Sequence, residues 1–129
     1  MPGRVQSSPN ATDSPRLILL TYLAAGFTVV YQDIIIGNDL PMVVRSVAHQ
    51  PLHVVVLCPA PAVLAAREAN RRKTAYTTFS VEEFDQVLRT TTPRIGLWLD
   101  TSNLTVDDAV DRILTDLSRA RVHGNDVLR

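Results

Sequence analysis

Two apolar runs of this chain stop on side chains able to do chemistry. The run "TVVYQD" ends at Asp33, and "IGLWLDTS" ends on Asp100, Thr101 and Ser102 in succession. A carboxylate at the tip of an apolar strand can act as a general base or hold a cation. It can equally close a loop, where aspartate is common. The polar tripeptide can rim a ligand or simply cap a turn, leaving Thr105 to cap the next helix. Between these ends lies a cationic cluster of Arg67, Arg71, Arg72 and Lys73. Arg67 and Arg71 are one helical turn apart and share a face. Converging guanidiniums suit polyphosphate, because each offers paired donors. Cations also favour helix C-termini, and Glu68 is spaced to pair with Arg72.

Other candidates read as packing. Cys58 follows the apolar run "VVVL" and no basic group closely precedes it, so a buried small side chain is expected rather than a nucleophile. His49, His53 and His123 lack the spacing of metal ligands, and His53 reads as a packed or edge histidine. Trp98 lies within "IGLWL" and is expected in the core. No G-x-x-x-x-G-K-[ST] and no G-x-G-x-x-G occurs, so motif search finds no nucleotide-binding loop.

The elements that must position these groups follow from punctuation and period. Residues 1–13 are rich in Pro, Ser, Asn and Thr and predict a disordered tail. Ser14-Pro15 marks a helix start, and Gly26 its end. That helix is apolar nearly all round, which predicts packing on two sides. Strands are expected at residues 27–32, 53–57 and 95–99, rich in β-branched and aromatic residues. Helices are expected at 40–48, from Pro61 to Arg72, from Ser80 to Arg89, and from Thr105 to Val122. Ser80 with Glu83 forms a capping box, and Thr105 with Asp108 repeats its logic. Val106, Ala109, Val110, Ile113, Leu114 and Leu117 share one stripe of the last helix. Alternating strands and helices predict an α/β fold, three layers α/β/α around a parallel sheet, over residues 14–123, with 124–129 as a second tail. Ligands of such sheets lie beyond the carboxyl ends of the strands, where Asp33 and Asp100 fall.

Composition sets wide bounds. The 129 residues carry 13 basic and 13 acidic side chains, which favours neither nucleic acid nor a membrane surface. One cysteine excludes an internal disulfide and a multi-cysteine zinc site, and a reducing cytoplasm is the plain expectation. The longest apolar stretch, residues 17–30, is broken by Thr21, Gly26 and Thr28 and is too short to span a bilayer.

Three blocks together, "GFTVVYQDIIIG", "LHVVVLCPAPAVLAAREANRR" and "GLWLDTSNLTVDDAVDRIL", resemble the later part of small P-loop kinases. The likeness is to the chloramphenicol phosphotransferase-like group and its bacterial AAA-type phosphotransferase-like relatives. It implies an incomplete P-loop kinase-like fold and an ATP-dependent phosphotransferase that uses ATP and Mg on a small-molecule hydroxyl acceptor. Asp33 then stands where the family has its base. Arg67, Arg71 and Arg72 match the lid over the phosphates, and Asp100, Thr101 and Ser102 match the rim of the nucleotide pocket. The chain begins after the family's Walker A strand, loop and helix, so weak or absent catalysis is expected. A non-catalytic α/β binding or assembly module is the alternative. The missing strand also leaves a gap between residues 27–32 and 53–57. Those strands are expected to pair directly, with a strand lent by a homodimer partner as the other solution.

Overall fold

The computed structural model describes residues 13–47, 51–69 and 80–123. Helix α1 (Asp13–Ala24) is followed by an irregular extended segment at residues 27–36, then α2 (Asp39–Val47). Two short strands, β1 (Leu52–His53) and β2 (Val55–Leu57), precede α3 (Pro61–Ala69) and α4 (Val81–Thr90). The chain closes with β3 (Leu97–Leu99), α5 (Val106–Thr115), α6 (Leu117–Ala120) and β4 (Arg121–Val122). The fold is thus mixed α/β with a small parallel sheet.

That sheet is β2 beside β3, with Val55 opposite Leu97 and Leu57 opposite Leu99. Parallel pairing of the second and third expected strands is confirmed. Its register depends on Gly96, which has φ +82; a Cβ there would lie 2.3 Å from the carbonyl oxygen of Val54. Only glycine allows the Leu97 N–H to reach that oxygen at 2.9 Å. A second pair, β1 with β4, is antiparallel and joins Leu52 to Val122. Leu40 and Val44 of α2 pack on Ile95 and Val122, with Leu52, Val54 and Val56 against them, and form the core.

The capping signals in the sequence operate. Ser80 accepts from the Glu83 N–H while Glu83 accepts from the Ser80 N–H, and Thr105 with Asp108 does the same. Gly26, at φ +93, ends α1 in a Schellman arrangement. The Phe27 N–H reaches the Tyr22 carbonyl at 3.1 Å, and the two rings meet edge to face at 5.4 Å.

Several expectations are corrected. Residues 27–32 join no sheet. The Schellman turn holds Phe27 at one end, and the buried Thr92 hydroxyl accepts the Gly37 N–H at 2.7 Å at the other, so the segment is anchored at both ends without a strand partner among the described residues. Direct pairing with 53–57 is therefore absent. His53 is antiparallel rather than parallel, because the last helix breaks at Asp116 and returns the chain as β4, where Ala120 accepts from the Val54 N–H. Helix α1 starts at Asp13, ahead of Ser14-Pro15; proline is tolerated in a first turn whose N–H groups have no helical acceptor. Its Leu17, Ile18 and Tyr22 are exposed, not packed on two sides. In the stripe of the last helix Val106 is 81% and Leu114 63% exposed, while Ala109 and Ile113 are half-buried. Trp98 is half-buried under the Arg94 guanidinium, 4.4 Å from its ring centre, rather than in the core.

Candidate functional site

A cleft of about 750 Å³ opens between the extended segment and β2. One wall is Tyr31 to Ile36, the other is Val54 to Pro59, and α2 closes the floor with Val43, Val44 and Val47. Its walls are apolar along the strands because Val, Ile and Leu fill those positions. Its polar lining residues include Gln32, Asp33, His53, Arg67, Glu68, Asp85 and Thr101.

Each rim group is held. Tyr31 donates its hydroxyl to Asp33 Oδ2 at 2.7 Å, and the Ile34 N–H donates to Oδ1 at 2.8 Å. Loss of solvent, then the hydrogen bond to Asp33 and the carboxylate's charge, pushes the Tyr31 phenol up to about 12. Arg67 crosses from α3 to β3, giving Nη2–H to the Thr101 carbonyl at 2.9 Å and Nη1–H to its hydroxyl at 3.3 Å. The buried Thr101 thereby fixes the guanidinium at the rim. Arg89 bridges α4 to the end of β2. Its Nε donates to Asp85 at 2.8 Å, and its Nη2 to the carbonyls of Cys58 and Pro59. The Asp85 hydrogen bond raises the Arg89 pKa above its ordinary value. Sequence reading missed Arg89; its i,i+4 spacing from Asp85 was the available signal.

The candidate residues divide. Asp33, Arg67 and Thr101 line one cleft; Asp100 and Ser102 do not. Asp100 instead closes a turn, its Oδ1 accepting from the Ser102 hydroxyl at 2.6 Å and N–H at 2.9 Å. Those two bonds hold its carboxyl below the usual range. The Ser102 hydroxyl in turn accepts the Ala60 N–H at 2.8 Å, tying the β2–α3 loop to the end of β3. The tripeptide is thus a brace whose middle member alone faces the cleft. Arg71, Arg72 and Lys73 lie outside the described residues. Cys58 is buried, and burial raises its thiol pKa against the opposing pull of Arg89, so it is not a ready nucleophile.

At the rim each Asp33 oxygen accepts one protein donor, and Arg67 donates to Thr101. Among the described residues no group of three His, Cys, Asp or Glu side chains could hold a metal ion. No helix among them is long and apolar enough to cross a membrane. Comparison with protein-family models, curated proteins and solved structures finds no match.

Proposed function

We propose that the chain is a non-catalytic α/β binding module that takes an amphiphilic ligand into the cleft. The ligand's apolar body lies along Val55, Val56 and Leu64, and its polar head meets Asp33, Arg67 and Thr101. One observation carries this reading: a cleft with continuous apolar walls ends in a rim of anchored polar groups. The reading favours recognition because the Asp33 carboxylate is held in place by Tyr31 and Ile34, one donor to each oxygen. The test is fluorescence titration with anilinonaphthalene sulfonate, a probe with an apolar body and an anionic head. Saturable binding weakened about tenfold or more by Leu64→Asp is expected, since a carboxylate would be set against an apolar wall and would repel the sulfonate. Binding that ignores this substitution refutes the reading.

A second reading is the ATP-dependent phosphotransferase, on a three-layer P-loop kinase-like fold and acting on a small-molecule hydroxyl. Its support is that Asp33 and Arg67 line one cleft. Positioning and electrostatics carry phosphoryl transfer, and the described residues supply few groups for either, so activity would be weak. Calorimetry with ATP and Mg separates the two readings: measurable heat, with turnover abolished by Asp33→Asn, favours the phosphotransferase.

A further inference from the structure

We propose that residues 27–32 are a detachable third strand. They add in parallel to the open edge of β2 and shut the cleft, and the arrangement described above is the open state. The hydrogen bonds of β2 show where a strand would be accepted. The Val54 carbonyl accepts from the Leu97 N–H, and the Cys58 N–H donates to the Leu99 carbonyl, both at 2.9 Å. Backbone groups alternate sides along a parallel strand. Val55 and Leu57 therefore turn their N–H and C=O groups away from β3, into the cleft, and β2 has no other strand neighbour among the described residues. Such an edge is a template for a strand.

The segment across the cleft is suited to it. Phe27-Thr28-Val29-Val30-Tyr31-Gln32 is uncharged and rich in strand-forming residues. In the open state it exposes Val30 at 94% and Phe27 at 58%, so closure gains apolar burial. Its connection to β2 runs through α2, the arrangement that joins adjacent parallel strands by a right-handed crossover. The pivots are also present. Gly26 and Gly37 flank the segment at φ +93 and +62, with no atom within 4 Å of a built Cβ at either. Thr92 fixes the Gly37 N–H, which makes that residue the point about which the segment turns. A closed strand and a ligand in the cleft compete for the same space, so ligand affinity falls with the closed fraction.

Amide hydrogen exchange of the whole chain, followed residue by residue, tests this. The Val55 and Leu57 amides are expected to exchange about tenfold or more slowly than unstructured amides, because closure pairs them. Val30→Asp should abolish that protection while Cys58, bonded to β3, keeps its own; Val30→Thr should preserve it. If Val30→Asp does not fold, Val30→Ser replaces it. Unprotected Val55 and Leu57 in the natural chain overturn the proposal, and so does protection indifferent to residue 30. Protection that vanishes on dilution also overturns it, because the strand would then come from a second copy.

Discussion

Asp33 illustrates how much a single carboxylate's role depends on its neighbours. The sequence reads it as the end of a strand, whereas it lies in an irregular extended segment, and spacing is silent on Tyr31, two residues earlier, whose hydroxyl caps it. That bond is a rotamer choice, invisible to spacing. The Tyr31 phenol, at about 12, lies above its ordinary value of 10.0. Its raised value stabilises the fold fully below pH 10, and this contribution is lost as pH rises through 12, because the unfolded chain releases the proton first. Ultraviolet titration should show one tyrosine ionising late. Asp33→Asn should bring that pKa only part of the way down, since desolvation is the larger cause. A late step unchanged by Asp33→Asn would show that the bond does not form. Arg67 gives a second residue-scale expectation. Thr101→Val removes one acceptor and leaves the backbone carbonyl, so stability should fall by about 0.5–1.5 kcal/mol, read by urea denaturation. Arg67→Met should cost more, because it leaves both acceptors on buried Thr101 without their donor.

Elements were legible where local chemistry settles them. Both capping boxes could be read from Ser80-x-x-Glu83 and Thr105-x-x-Asp108 because a cap is decided within one turn of chain. The parallel β2–β3 pair could be read because both runs are apolar and short. The antiparallel β1–β4 pair could not, since it depends on where α5 breaks and where the chain then returns. The cleft was not legible, since residues 27–32 and 53–57 were expected to pair and close it; its apolar walls and the brace made by Asp100 and Ser102 arise from tertiary placement. Two substitutions measure these elements. Ser80→Ala should lower stability by about 1 kcal/mol, by removal of the cap of α4. Gly96→Ala should cost at least about 1–3 kcal/mol from its positive φ alone, with the clash against the Val54 carbonyl added. Chemical denaturation reads both. A Gly96→Ala chain as stable as the natural one would mean that β2 and β3 do not meet in this register.

At the scale of the whole molecule, the unusual property is the amount of apolar helix left in water. Leu17, Ile18 and Tyr22 of α1 are each more than half exposed, and so are Val106 and Leu114 of α5. Isolated exposed leucines are ordinary, but a contiguous stripe one helical turn apart is a site of association or aggregation. The stripe at Val106, Val110 and Leu114 is set by a strong capping box at Thr105, so the helix forms whether or not anything covers it. Its side chains therefore add little to folding. Val106→Lys with Leu114→Lys should leave the unfolding midpoint nearly unchanged, within about 0.5 kcal/mol for each exposed position. The same pair should reduce concentration-dependent self-association seen by sedimentation, because two cations would interrupt the only continuous apolar strip on α5. If the double variant instead unfolds early, those side chains are buried in solution and α5 packs elsewhere than its exposed face implies.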